Sequence, residues 1–138
     1  LKNKKIFLVD ETYNSNPLSL QTAIQNFDKI ESKNSKKYMI LGDMLELGKH
    51  SIKQHKIMSK VVNKTKINKV YVIGKYIKET FKGLKKTKKA KLLKNNFGII
   101  NLINKNLDNN DYLMIKGSNS TGLHKLAKIL KKRNSHAI

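Results

Sequence analysis

Short apolar runs alternate with stretches of helical periodicity along the whole chain, and no other feature restricts the possible folds as much. Ile6-Phe7-Leu8-Val9, Tyr38-Met39-Ile40-Leu41, Val70-Tyr71-Val72-Ile73 and Tyr112-Leu113-Met114-Ile115 are too short for helices. They are rich in β-branched and aromatic residues, and glycine or polar turns stop them, so they read as buried strands. Between them, apolar residues recur at helical spacing, as in Leu20, Ile24, Phe27 and Ile30. Buried strands separated by amphipathic helices imply an α/β fold in three layers, with a mostly parallel sheet of about five to six strands.

The expected strands are Lys5 to Val9, Tyr38 to Leu41, Lys69 to Ile73, a short one from Ala90 to Leu93, and Tyr112 to Ile115. The expected helices run from Pro17 to Glu31, His50 to Asn63, Lys75 to Lys82 and Thr121 to Lys132, with a further one on Phe97, Ile100, Ile103 and Leu107. Ile52, Met58, Val61 and Val62 are the apolar residues of the second helix, and Leu123, Leu126, Ala127 and Leu130 face inward in the last. At 138 residues the chain is one domain, residues 1–133, with 134–138 as a frayed tail. It opens on Leu1 and enters a strand almost at once, which suggests a piece of a longer polypeptide.

A net charge of +21 raises the question of nucleic acid. Arg133 is the only arginine among 30 basic residues, whereas base-edge readers rely on the arginine fork. The lysines are spread over the whole length, with a modest cluster from Lys82 to Lys94. A solvated lysine surface that favours anionic small molecules accounts for the charge, and the sequence argues against nucleic acid as a partner. There is no cysteine, hence no disulfide framework and no thiolate metal site. No apolar run approaches the roughly 20 residues of a membrane span.

The familiar phosphate-loop, dinucleotide and nucleophile-elbow patterns are absent. The histidines form no zinc pattern; His50 and His55 are five apart, and His55 reads as a helix-surface or half-buried residue. What remains is three polar loops, each following a strand, and ligands bind at that edge of α/β sheets. The first holds Asp10, Glu11, Tyr13, Asn14 and Asn16. Asn16 and Pro17 make a helix start, as N-cap and first helical residue. That explains neither carboxylate. One of them could orient a ribose, a magnesium-bound water or a partner lysine, and Tyr13 could stack on a base. The second loop is Gly42-Asp43-Met44-Leu45-Glu46-Leu47-Gly48, where Asp43 could pair with a lysine of a neighbouring loop. The third is Lys116-Gly117-Ser118-Asn119-Ser120. There an ammonium, a glycine that admits close approach and a hydroxyl before a helix suit an anion.

In order, Asp-Glu-Thr-Tyr-Asn-Ser-Asn-Pro from Asp10, Leu-Gly-Asp-Met-Leu-Glu-Leu-Gly from Leu41 with His50 after it, Val-Ile-Gly at Val72 to Gly74, and Ile-Lys-Gly-Ser from Ile115 resemble the C-terminal domain of a Mur ligase. The first two motifs resemble the branch of that family that adds D-alanyl-D-alanine, and the likeness extends to about Leu130. It implies a Rossmann-like domain that closes over the site of a cytoplasmic, ATP-dependent ligase of peptidoglycan precursor synthesis. ATP phosphorylates the carboxylate of UDP-MurNAc-tripeptide, and the amine of D-alanyl-D-alanine displaces phosphate from the acyl phosphate. The partners implied are ATP, both substrates, and the N-terminal and central domains of the same polypeptide. The central domain carries the phosphate loop and most Mg2+ contacts, so no metal ligand is expected here and the chain alone does not ligate.

By position, the resemblance places Asp10, Glu11, Tyr13, Asn14 and Asn16 at the nucleotide. The family usually has aspartate where this chain has Glu11, so either Asp10 or Glu11 is the acid in contact. Ser15 stands where alanine is common. Lys116 becomes the catalytic candidate, with Lys116, Gly117, Ser118 and Asp43 toward the dipeptide or the transferred phosphoryl group. Asp43 and Glu46 serve equally well as loop structure. The competing reading is a stand-alone basic module of Rossmann-like fold that binds nucleotide or nucleic acid.

Overall fold

The computed structural model describes residues 4–95, 98–118 and 121–133. Five parallel strands form one sheet: β1 (Phe7–Glu11), β2 (Lys37–Gly42), β3 (Lys69–Ile73), β4 (Lys89–Leu93) and β5 (Tyr112–Lys116), in the order β1-β5-β2-β3-β4. The helices are α1 (Pro17–Lys29), α2 (Ser51–Asn63), α3 (Ile77–Lys82), α4 (Ile99–Asn106) and α5 (Leu123–Arg133). Alternate strand residues feed two cores. Leu8, Tyr38, Ile40, Tyr71, Leu113 and Ile115 pack with α4 and α5, whereas Met39, Leu41, Val70, Val72 and Met114 pack with α1, α2 and α3. This period of two places a helical layer on each face of the sheet.

Several expected boundaries shift by one or two residues, and the shifts of β1 and α3 come from partners distant in sequence. β1 begins and ends two residues later than expected, because its ladder with β5 runs from Phe7↔Tyr112 to Glu11↔Lys116. The acid pair therefore belongs to the strand, and its two side chains leave on opposite faces. α3 starts at Ile77, since the N–H groups before it are held by Asp43. α5 starts at Leu123, after a turn in which Thr121 Oγ1 donates to the Ser118 carbonyl at 2.7 Å. The expectations on Phe97, on Asn119 and Ser120, and on the tail 134–138 lie outside the described residues.

The buried stripe of α2 is Ser51, His55, Met58, Ser59 and Val62, a helical spacing that leaves Ile52 53% exposed. Ile52 is thus not a core residue, and His55, expected on the helix surface or half-buried, is fully buried.

Lysine, the dominant residue of the composition, also works inside the fold. Lys37 Nζ donates to the carbonyls of Asp28, at 2.6 Å, and Ile30, which end α1. Lys88 Nζ bridges the Thr65 and Ile67 carbonyls at 2.7 Å each, and Lys4 Nζ reaches the Asn104 and Leu107 carbonyls at the end of α4. Helix ends leave carbonyls without partners in their own helix, and a long flexible ammonium with three donors satisfies them.

Candidate functional site

The strand order puts the carboxyl ends of β1, β5 and β2 side by side, so the loops after these strands meet. They enclose a cleft of about 510 Å³ lined by Asn14, Ser15, Asn16, Leu45, Glu46, Leu47 and Ser118. A second hollow of about 340 Å³ lies over the start of α1, where Glu11 and Lys116 face Ser19 and Thr22. Asn16 lines both.

Ser118 joins the three loops. Its N–H donates to the Asp43 carbonyl at 3.1 Å, its Oγ accepts the Leu45 N–H at 3.0 Å, and the same hydroxyl donates to the Ser15 carbonyl at 3.4 Å. Lys116 fastens β5 to the first loop, with Nζ donating to the Asn14 carbonyl at 2.5 Å and the Glu11 carbonyl at 3.5 Å. An ammonium has three protons, so beyond these two bonds among the described residues one donor is left. Burial lowers the Lys116 pKa, and the Glu11 charge opposes this in part. Gly42 and Gly117 lie against each other at the ends of β2 and β5. A Cβ on Gly117 would come within 3.2 Å of the Gly42 Cα, so side chains here would push the loops apart.

The two acids of β1 have different surroundings. Asp10 Oδ1 accepts the Thr12 N–H at 3.0 Å and its hydroxyl at 2.6 Å, while Oδ2 pairs with Lys131 of α5 at 2.8 Å. Burial pushes its pKa up, but the bonds from Lys131 and Thr12, with the Lys131 charge, outweigh this and hold it below the ordinary value. Glu11 is exposed on the other face of the sheet, and among the described residues no donor is bonded to its carboxylate. Tyr13 is 88% exposed, its ring presented to solvent. Asn14 Oδ1 accepts the Ser15 N–H at 2.8 Å. Asn16 caps α1: its Oδ1 accepts the Ser19 N–H and its own N–H donates to Ser19 Oγ, both at 2.9 Å. Ser15 Oγ is buried with no hydrogen-bond partner among the described residues.

Asp43 is not paired with a lysine side chain. Its Oδ2 accepts the Lys75 N–H at 3.1 Å, and its Oδ1 accepts those of Tyr76 and Ile77 at 2.9 and 2.8 Å. The carboxylate of the second loop thereby caps α3, where negative charge is favoured. Gly74 makes room for it: at φ +142, an added Cβ would lie 2.4 Å from Asp43 Oδ1. Glu46 sits at φ 63, a left-handed conformation that costs a side-chain-bearing residue roughly 1–2 kcal/mol and so needs firm anchors on either side.

Sequence reasoning missed two participants. His55 Nε2 accepts the Met44 N–H at 3.0 Å. The i, i+4, i+7 stripe Ser51-His55-Met58 was the available signal for its burial. Lys131 had no local signal, since only the packing of α5 on β1 brings it to Asp10.

Together these features define a parallel α/β domain with three interlocked loops at the carboxyl ends of its central strands. The family model "Mur ligase, glutamate ligase domain" matches residues 2–119, and the chain belongs to this family. It is 33% identical over 134 residues to the UDP-N-acetylmuramoyl-tripeptide–D-alanyl-D-alanine ligase of Buchnera aphidicola subsp. Acyrthosiphon pisum, covering 92% of this chain and 27% of that protein. The protein of the same name from Bacillus subtilis is 29% identical over 127 residues, covering 89% and 27%. Among solved structures, the MurF ligase of Thermotoga maritima in complex with ADP superposes with a TM-score of 0.72 at 25% identity, over 96% of this chain and 30% of that one. MurF from Acinetobacter baumannii superposes with a TM-score of 0.77 at 25% identity, over 96% and 29%. The chain thus spans about a quarter of the length of these relatives.

Proposed function

We propose that this chain is the C-terminal domain of a cytoplasmic, ATP-dependent ligase that joins D-alanyl-D-alanine to UDP-MurNAc-tripeptide, acting with the N-terminal and central domains of the same polypeptide. The observation that carries this reading is the convergence of the three motif-bearing loops on one cleft, in a chain whose family relatives bear that ligase name. Among the described residues no helix is long and apolar enough to cross a membrane.

In this reading the first loop borders the nucleotide. Tyr13 offers a free aromatic face to the base, the Asn14 and Asn16 side chains border the adenosine, and Glu11 is the acid that faces the ligand. Asp10 serves from behind, because both its oxygens are engaged. ATP supplies the phosphoryl group that activates the tripeptide carboxylate. Lys116 directs its remaining donor toward the negative charge that develops there, in a setting where fixed donors count for more than in water. The second and third loops border the dipeptide, with Gly117, Ser118 and Asp43 holding the wall in place. Mg2+ is assigned mainly to the central domain; among the described residues no three His, Cys, Asp or Glu side chains are grouped to hold an ion. Closure of a domain built this way also keeps water from the activated carboxylate.

The test is product formation by the full-length polypeptide that carries this chain, followed by mass spectrometry with ATP, Mg2+ and UDP-MurNAc-tripeptide. The expected result is a product heavier by one D-alanyl-D-alanine residue pair, formed only when the dipeptide is present. The 138-residue chain by itself is expected to form none. Absence of product from the full-length protein, or robust product from the chain alone, contradicts the reading.

A further inference from the structure

His55 lies in the middle of α2, away from the cleft lining, yet it holds the segment that forms one wall. Its Nε2 accepts the Met44 N–H at 3.0 Å, so the ring proton resides on Nδ1, which donates to the Ser51 carbonyl at 2.7 Å. The next N–H along, that of Leu45, is held from the opposite direction by Ser118 Oγ at 3.0 Å. One residue earlier, the Asp43 carboxylate is tied to the start of α3. Asp43, Met44 and Leu45 are therefore pinned in turn by α3, α2 and the loop after β5, and Leu45 with Glu46 and Leu47 lines the cleft. Glu46 follows directly in its left-handed conformation, which persists only where the flanking chain is fixed.

We propose that His55 is a positioning residue of the ligand cleft: it sets the course of the Leu45–Leu47 wall through the Met44 N–H and thereby governs binding of the dipeptide. The inference rests on the ligase reading above for the identity of the ligand. An imidazole is suited to the task because it accepts at one edge and donates at the other, spanning the gap between a helix carbonyl and a loop amide as a rigid spacer. The Thr80 hydroxyl, which donates to the His55 carbonyl at 2.5 Å, and the Tyr76 ring, 5.8 Å from the imidazole, confine it from the α3 side.

The experiment uses the full-length polypeptide with His55→Leu, which removes the acceptor, and His55→Gln, whose amide oxygen can accept the Met44 N–H. For His55→Leu the KM for D-alanyl-D-alanine is expected to rise by about tenfold or more, with the KM for ATP nearly unchanged. His55→Gln is expected to recover most of that loss. An unchanged dipeptide KM in His55→Leu overturns the proposal, because a merely structural role lowers the amount of active protein without moving that constant. Should His55→Leu fail to fold, nitrogen NMR of the wild-type imidazole decides: a proton on Nδ1 with Nε2 accepting supports the clasp, and a proton on Nε2 overturns it. If the wild-type protein shows no dipeptide-dependent turnover, the ligase reading is the one that fails. Amide exchange then judges the clasp: faster exchange at Met44 and Leu45 in His55→Leu, but not in His55→Gln, supports it, and equal exchange in both overturns it.

Discussion

Buried polar side chains set both the site and its response to pH. Lys116, Lys37 and Lys88 all have lowered pKa values, with burial as the largest cause in each. Between its folded pKa and the ordinary 10.5, each such lysine binds more protons in the unfolded chain, so its contribution makes stability rise with pH across that window. Tyr38 acts in the opposite sense. Burial, reinforced by Asp111, Tyr71 and Asp108, raises its pKa from 10.0 to about 12. Above pH 10 the unfolded chain loses this proton first, and stability falls until the folded pKa is reached. Tyr38→Phe is therefore expected to flatten the alkaline decline between pH 10 and about 12, measured by denaturant unfolding at several pH values. Lys116→Met keeps the aliphatic stem and removes the donors; in the ligase reading it lowers turnover by about 100-fold or more, as loss of an oxyanion-directed donor does.

Elements were legible where their signal is local. The Asn16-Pro17 start of α1 is a short-range pattern, and the structure has the expected cap. β3 occupies the residues expected of it, because its apolar run is bounded by Gly74 on one side and a polar turn on the other. The convergence of three loops was also legible, since parallel strands all present the same end to the loops that follow them. The strand order was not, and neither was the split between Asp10 and Glu11, which depends on a ladder to β5 about a hundred residues away. The burial of His55 is not legible from the apolar residues of α2 alone. The stripe that includes Ser51 and Ser59 is the one that is buried. α3 is the clearest case of an element fixed from outside: it is six residues long, and its start is held by the Asp43 carboxylate. Asp43→Ala is expected to cost about 2 kcal/mol or more in chemical unfolding, by leaving three N–H groups without their charged acceptor. Gly74→Ala should be of similar severity for a different reason, a clash at a positive φ in which the added Cβ would lie only 2.4 Å from an oxygen of that carboxylate.

At the scale of the whole molecule, 30 basic residues face nine acidic ones, and only two ion pairs form among the described residues. Much of the lysine excess is a solvated coat, and its self-repulsion opposes compaction. The unfolding temperature is therefore expected to rise as salt is added up to about 0.15 M, where the screening length falls to roughly 8 Å. A fall over that range would show that attractive surface pairs outweigh the repulsion. The same coat lends an attractive field to anionic ligands approaching the strand-end loops. The central claim is that these loops are the ligand surface of an ATP-dependent ligase, and Tyr13 tests it most directly. Its ring is 88% exposed, so its loss alters little of the fold. The measurement is the KM for ATP of the full-length polypeptide, with and without Tyr13→Ala, followed as D-alanyl-D-alanine-dependent phosphate release. Loss of a stacked base predicts a rise of about 5- to 100-fold. An unchanged KM for ATP would contradict placement of the first loop at the nucleotide.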